Sequence, residues 1–205
     1  MITIVDYGMG NLGSIVNMLK RIGASAIITS DPEVVARSDK LILPGVGAFD
    51  AAMESIREKG LRDALDECAI RRKVSVLGIC LGMQLLTRSS DEGELPGLGW
   101  IAARTRAFKA CVSEPLKIPH MGWNVVAQSN PSPLIRGFDT LEEPRFYFVH
   151  SYYVECESTT NSVLRCTYGV QFDAAIQSEN VFGVQFHPEK SHRFGMKLLQ
   201  NFADI

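Results

Sequence analysis

Cys80 stands between two glycines in the run Gly78-Ile79-Cys80-Leu81-Gly82, after an apolar stretch at 74–77 and before a helical pattern. This order of strand, nucleophile and helix has the form of a nucleophile elbow, with a thiol where many hydrolases carry a serine hydroxyl. Small residues two positions before and after the nucleophile are needed because so sharp a turn brings the flanking backbone into contact. A helix beginning at Leu81 would favour negative charge at its N-terminus and leave the Leu81 N–H free to donate to an oxyanion. A thiolate placed there could attack a carbonyl carbon and hold the acyl group as a thioester. The competing reading is that Cys80 only fills a core as a small apolar residue.

A cysteine nucleophile needs a base, and the sequence offers four histidines. His187 ends the strand-like run 181–187 and is followed by Pro188 and Glu189, so a carboxylate stands close enough to orient the imidazole and stabilise its protonated form. His120 and His150 also end apolar runs, whereas His192 lies on a polar helix start. The combination of Cys80, His187 and Glu189 is the favoured triad. Pro44-Gly45-Val46-Gly47 follows the apolar stretch 41–43 and supplies backbone N–H groups with little side-chain bulk, as an oxyanion hole needs. It also reads as an ordinary glycine-rich turn.

A second motif competes for the site. Gly8-Met9-Gly10-Asn11-Leu12-Gly13 is a literal G-x-G-x-x-G between a strand and a helix, with Asp31 about 20 residues on, which would fit a dinucleotide pyrophosphate and a ribose hydroxyl. The alternative is that these glycines serve a tight turn with positive φ and close backbone approach.

The elements that must position these residues alternate. Strands are expected at 2–6, 26–29, 41–44 and 74–79, with helices at 11–21, 32–38, 49–71 (broken at Gly60) and 81–89. That pattern predicts βαβ units around an open, mostly parallel sheet covered by helices on both faces, with functional loops at the strand ends. After Glu92 the texture shifts to short aromatic and β-branched runs at 100–108, 145–156, 162–169, 173–178 and 180–187. These read as a mixed or antiparallel extension of the sheet. A last helix over 192–202 places Phe194, Leu198 and Phe202 on one face. There is no repeat, low-complexity tract or linker, so a single domain over 1–205 is expected.

With 46% hydrophobic and 21% charged residues, the 205-residue chain can bury a substantial core. A net charge of -2 gives no footprint for polyanions, so no nucleic acid is expected as a partner. The N-terminus has neither a basic leader nor an apolar run long enough for a membrane span, which makes a cytoplasmic protein the default. Five cysteines (Cys68, Cys80, Cys111, Cys156 and Cys166) include no C-x-x-C pair, arguing against a disulfide framework or a structural zinc site.

Taken jointly, the G-x-C-x-G elbow, the glycine-rich loop and His-Pro-Glu near the C-terminus resemble the triad-type (class I) glutamine amidotransferases over almost the whole chain. Within that family, the stretches DYGMGN, LPGVGAF, GICLGMQLL, PHMGWN, FYFVHSYY and QFHPEKS are similar to those of the glutaminase subunits of imidazole glycerol phosphate synthases. The resemblance implies a flavodoxin-like fold and hydrolysis of L-glutamine through a γ-glutamyl thioester on Cys80, with no metal or cofactor. It also implies a heterodimer with a (βα)8 cyclase subunit, to which ammonia passes through a channel. By motif position it implies the triad Cys80, His187 and Glu189, an oxyanion hole from the amides of Val46 and Leu81, and glutamine contacts from Gly47, Gln84, Glu92, Ser151 and Tyr152. Gly10 and Asn11 of the GMGN loop, with Trp123, Asn124, Tyr147 and Lys190, match the face toward the synthase. A paralogous glutaminase that feeds a sugar amidotransferase in surface-polysaccharide synthesis shares the same half-reaction. A cysteine protease or esterase would keep the triad and change the substrate.

Overall fold

In a computed structural model that describes residues 1–108 and 116–205, the first half of the chain follows the expected alternation. It runs β1 (Ile2–Val5), α1 (Leu12–Arg21), β2 (Ala26–Thr29), α2 (Pro32–Ala36), β3 (Lys40–Gly45), α3 (Phe49–Glu58), α4 (Leu61–Asp66), β4 (Ser75–Cys80) and α5 (Leu81–Leu85). Gly60 breaks the long helical pattern with φ +65, and a π turn at Glu67–Arg71 finishes it. The second half contributes β5 (Ala103–Ala107), β6 (His120–Val125), β7 (Ala127–Gln128), β8 (Arg145–His150), β9 (Tyr152–Cys156), β10 (Ser162–Tyr168), β11 (Val170–Ser178), β12 (Val181–Val184) and α6 (His192–Asp204). Cys111 lies outside the described residues.

Five strands pair in parallel in the order β2-β1-β3-β4-β12. The sheet then continues antiparallel through β11, β10 and β7, with β9 pairing both β11 and β5. The central strands are apolar on both sides because both sides are covered. Ile42, Leu77 and Ile79 point into one core with Ile15 and Leu19 of α1 and Leu198 and Phe202 of α6. Leu41, Leu43 and Val76 point into the other, with Phe49, Ile56 and Leu65 of α3 and α4. That is the open, mostly parallel α/β sheet with a mixed extension that the sequence pattern implies.

Three local readings change. The helix after Cys80 stops at Leu85 rather than reaching Ser89, because the following loop takes its carbonyls. Thr87 Oγ1 donates to Gln84 O at 2.7 Å, Leu98 N–H to Leu85 O at 2.7 Å and Ile101 N–H to Leu86 O at 3.1 Å. The run 145–156 is two strands that part at Ser151: β8 pairs with β6 in a separate two-stranded sheet, whereas β9 joins the main one. The last strand ends at Val184, and the chain bends at Gln185 and Phe186, so that His187 N–H reaches Tyr147 O of β8 at 2.9 Å.

The two glycine-rich turns face opposite energetic constraints. A methyl at Gly82 would run into the Leu43 carbonyl of β3, whereas one at Gly13, inside α1, would meet only Asn11 Oδ1 at 4.0 Å. Gly82→Ala should therefore cost about 2–4 kcal/mol of stability. Gly13→Ala should be neutral or gain up to about 1 kcal/mol from the helix. Urea denaturation midpoints of the two variants check the contrast, and equal losses would contradict it.

Candidate active site

The sulfur is placed by a strained backbone. Cys80 has φ 55 and ψ -109, in a region that L residues with a side chain occupy only when their surroundings enforce it. The enforcement is visible on both sides. A Cβ on Gly78 would lie 2.6 Å from Gly82 O and 2.8 Å from Met83 N, so the turn is folded against itself, while Gly82 is pressed on the backbone of β3. The register pairs Cys80 with Gly45, so Pro44-Gly45-Val46-Gly47 leaves the sheet directly beside the elbow. Gly45 in turn has no room for a side chain, since a Cβ there would strike the Tyr7 hydroxyl, which donates to the Pro44 carbonyl, and approach Leu81 Cβ at 3.0 Å. With five residues, α5 has little macrodipole to offer, so local N–H donors carry the electrostatics at the sulfur.

His187 arrives from the neighbouring strand end and is clamped at its backbone. Besides the bond from its N–H to Tyr147 O, its carbonyl accepts from Ser191 Oγ at 2.6 Å, and that same oxygen accepts the Tyr147 N–H at 3.0 Å. Its Nδ1–H donates to Glu189 Oε1 at 2.8 Å, with both side chains almost fully buried. This bond fixes the tautomer and leaves the buried Nε2, without a hydrogen bond of its own, to serve the thiol. Burial opposes charge on the imidazole, but the Cys80 sulfur and the Glu189 carboxylate more than offset it and raise His187 to about 9. The arrangement suits a thiolate–imidazolium pair, with the imidazolium retained until pH rises through about 9.

His120 and His150, the other histidines of the apolar runs, are brought near this site but cannot act as its base. His150 Nδ1–H donates to the Tyr152 carbonyl at 2.7 Å, so its Nε2 must accept. It accepts from His120 Nδ1–H at 2.9 Å, and His120 Nε2 then accepts from Asn124 Nδ2 at 3.3 Å. His120 is also stacked between Phe148 and Tyr168, with centroids at 4.8 and 4.1 Å. Burial lowers His150 to about 3 and His120 to about 4, so both rings are neutral.

The residues matched to substrate glutamine come from four separate segments. Gln84 Nε2 donates to the Tyr152 carbonyl at 3.1 Å, which joins the elbow helix to the kink between β8 and β9. Ser151, half-buried at that kink, accepts the Phe108 N–H through its carbonyl at 3.4 Å. Glu92 accepts the Phe49 N–H at the start of α3 at 3.0 Å. Burial raises its carboxyl, the Phe49 N–H pulls it back, and Asp50 adds to the rise. Burial also raises the Tyr152 phenol, helped by Glu92 and Asp91, which places Glu92 and Tyr152 in one electrostatic neighbourhood. Gly47, with φ 139, packs close to Met9 of the other glycine-rich turn, where a Cβ would lie 3.1 Å from the sulfur.

Residues 3–205 match the family described as glutamine amidotransferase class-I. The chain belongs to the class-I glutamine amidotransferases. It is 54% identical over 202 residues, 98% of each chain, to "Imidazole glycerol phosphate synthase subunit HisH 2" of Methanococcus maripaludis. It is 48% identical, over the whole of both chains, to the protein of the same name from Pseudomonas aeruginosa. Among solved structures, a glutamine amidotransferase superposes with TM-score 0.75 at 17% identity over the whole of both chains. PurLQS from Thermotoga maritima superposes with TM-score 0.69 at 21% identity, covering 99% of this chain and 97% of that one.

In this amidotransferase the G-x-G-x-x-G is not a dinucleotide cradle. Gly8 and Gly10 have φ +88 and +97, and a Cβ on Gly10 would sit 3.4 Å from Gly45 Cα, so the close approach that the glycines permit is to the backbone of β3. Asp31 is spent as the cap of α2, accepting the Glu33 N–H at 2.9 Å. Asn11 likewise caps α1 through Ser14 N–H at 3.3 Å. Of the residues matched to a partner face, Trp123, Tyr147 and Lys190 come together. Trp123 and Tyr147 are paired across β6 and β8, their rings 6.2 Å apart, and Lys190 Nζ lies 5.7 Å from the Tyr147 ring. Trp123 also stacks on His192 at 5.5 Å. Asn124 turns the other way, as strand alternation requires, and its amide is held by His120 and by Thr167 O at 3.1 Å.

Sequence reasoning missed Ser191, the clamp on His187, and Gln185, which is fully buried with Nε2 3.8 Å from the Cys80 sulfur. Both lie inside the stretch QFHPEKS, but nothing in their type or spacing marks them. Among the described residues no cluster of three or more His, Cys, Asp or Glu is placed to hold a metal ion.

Because His120 and His150 are neutral when folded and charge near 6.5 when unfolded, their stabilising effect is complete above pH 6.5 and is lost as pH falls toward about 4 and about 3. Each group steepens the loss by up to about 1.4 kcal/mol per pH unit in that window. Melting temperatures from pH 7 to pH 4 should fall less steeply for His150→Gln than for the wild type, whatever the offset at pH 7. Parallel curves would show that these rings do not titrate on unfolding.

Proposed function

We propose that this chain is the glutaminase subunit of an imidazole glycerol phosphate synthase, working as one amidotransferase domain over 1–205 in histidine biosynthesis. The observation that carries the reading is the pair formed by His187 and Glu189 at 2.8 Å, with the remaining imidazole nitrogen buried and left to the thiol on the elbow. An amide is a poor electrophile, so a thiolate nucleophile, an oxyanion site and an acid for the leaving nitrogen are the minimum machinery. The full-length identity to relatives named for this synthase supports glutamine as the amide donor and favours the histidine pathway over a surface-polysaccharide role.

In this mechanism the Cys80 thiolate attacks the γ-carboxamide carbon of glutamine. The resulting oxyanion accepts from the amides of Leu81 and Val46. His187, as imidazolium, gives its Nε2 proton to the departing nitrogen as the C–N bond breaks, leaving a γ-glutamyl thioester and ammonia. The now neutral imidazole takes a proton from water, whose oxygen attacks the thioester and releases glutamate and the thiolate. Gln84, Glu92, Gly47, Ser151 and Tyr152 surround the bound glutamine. Ammonia released to bulk water would be protonated and lose its nucleophilicity, which accounts for a heterodimeric (βα)8 cyclase partner that receives it directly. The exposed cluster of Trp123, Tyr147 and Lys190, with the turn at Gly10 and Asn11, forms the docking face. Among the described residues no helix is long and apolar enough to cross a membrane. The proposed setting is the cytoplasm.

Complementation tests the reading. In a histidine auxotroph lacking its own glutaminase subunit but supplied with a matched cyclase, the wild type should restore growth and Cys80→Ala should not. In the purified complex, Glu189→Gln should lower kcat at least about a hundredfold with KM changed only a few-fold, since the carboxylate sets the imidazole rather than binding substrate. The chain alone should turn glutamine over slowly, and strong activity without a partner would overturn the heterodimer.

A further inference from the structure

The hydrogen bonds beneath the nucleophile are directional, and the donor and acceptor chemistry of the partners fixes their direction. The Tyr152 carbonyl can only accept. It therefore requires the NH2 end of Gln84 to face it at 3.1 Å. The same NH2 group lies 3.2 Å from the Gln185 side chain, so Gln185 must present its oxygen there, because two amide NH2 groups would repel. Its own NH2 end is left facing the Cys80 sulfur at 3.8 Å. Gln185 is fully buried, and its backbone N–H is held by Ala174 O at 2.9 Å. The other acceptor position of the Tyr152 carbonyl is taken by His150, which His120 and Asn124 hold in turn.

We propose that Gln185 is a further catalytic residue: its Nε2–H donates to the Cys80 thiolate, and Gln84 together with the neutral His120–His150 pair fixes the amide in the one orientation that does so. This assigns the buried histidines a positioning role that the triad leaves open. It also explains why an uncharged donor stands at this point. A lysine or arginine buried here would compete with the imidazolium for the thiolate, whereas an amide stabilises the charge and leaves the proton on His187.

The proposal rests on Cys80 being the nucleophile, and the experiment separates the two. The complex is treated at fixed pH with iodoacetamide and, separately, with a chloroketone analogue of glutamine, and the Cys80 peptide is quantified by mass spectrometry. Absence of labelling in the wild type would remove the nucleophile assignment itself. With labelling present, Gln185→Met, which keeps the volume and loses the donor, should slow Cys80 alkylation and kcat by about tenfold while KM for glutamine stays within about twofold. Gln185→Glu keeps every atom position but faces the sulfur with an acceptor, and should slow both further. If Gln185→Met does not fold, Gln185→Glu alone gives the same reading. His150→Asn retains a donor for the Tyr152 carbonyl and should preserve most of the alkylation rate, whereas His150→Leu should not. Alkylation rates and kcat within twofold of the wild type in folded Gln185 variants, or a change in KM alone, would overturn the assignment.

Discussion

Every feature of the proposed site depends on the backbone of Cys80 staying where a cysteine does not rest by preference. Its φ of 55 is maintained by contacts that leave no alternative: Gly78 closes on Gly82 from within the turn, and Gly82 closes on Leu43 from outside. The energy for this comes from the sheet. β4 is an interior strand of the five-stranded parallel set, paired with β3 and β12, with apolar cores on either face, so the strain at its end is small beside the cooperative packing that would have to be lost to relieve it. The strand order then does the assembly. β3 on one side of β4 ends in Pro44-Gly45-Val46-Gly47, and β12 on the other side leads to His187, so the proposed nucleophile, amide donors and acid arrive at adjacent strand ends with no long loop required to reach the site.

The same burial that stiffens the site also sorts its imidazoles. Three histidines lie close together, and desolvation acts against charge on each of them. Only His187 has compensating partners, a carboxylate on Nδ1 and the sulfur near Nε2. His120 and His150 have a carbonyl, an amide and each other, a set that is satisfied only if both rings are neutral. Environments that push like groups in opposite directions are how acid and spectator are distinguished in one pocket.

Much of this is legible in the sequence. The alternation of apolar runs and helical patterns yields the parallel half because buried parallel strands are uniformly apolar, and the elbow glycines carry their steric reason in their spacing. What the residues could not reveal alone was what each glycine approaches. Gly8 to Gly13 has the spacing that fits a pyrophosphate, yet it meets the backbone of Gly45, and local sequence is blind to whether a ligand or another strand fills that space. The overlong α5 has a similar origin, because its carbonyls are taken by Leu98 and Ile101 from a loop that shows no periodicity. Strand β6 went unread because its outward face carries Met121, Trp123 and Val125, an apolar row that is exposed instead of buried. Gln185 and Ser191 were invisible for a different reason. A glutamine just past a strand end and a serine before a helix are unremarkable by type, and only the fold shows that one faces the sulfur and the other ties His187 to β8.

That tie links surface and chemistry through a single strand. Tyr147 of β8 gives its carbonyl to the His187 N–H and its N–H to Ser191, which also holds the His187 carbonyl. Its ring, on the other side of the backbone, meets Trp123 and Lys190 at the surface. β8 pairs only with β6, apart from the ten-stranded sheet, so among the described strands this ribbon can shift without breaking the ladder that strains Cys80. Val149 of the same strand turns its carbonyl to the Cys80 sulfur at 3.9 Å, so β8 touches both the imidazole and the thiol. Cys80 and His187 thus both leave interior strands of the ten-stranded sheet, β4 and β12, and β8 adds its backbone bonds on the His187 side.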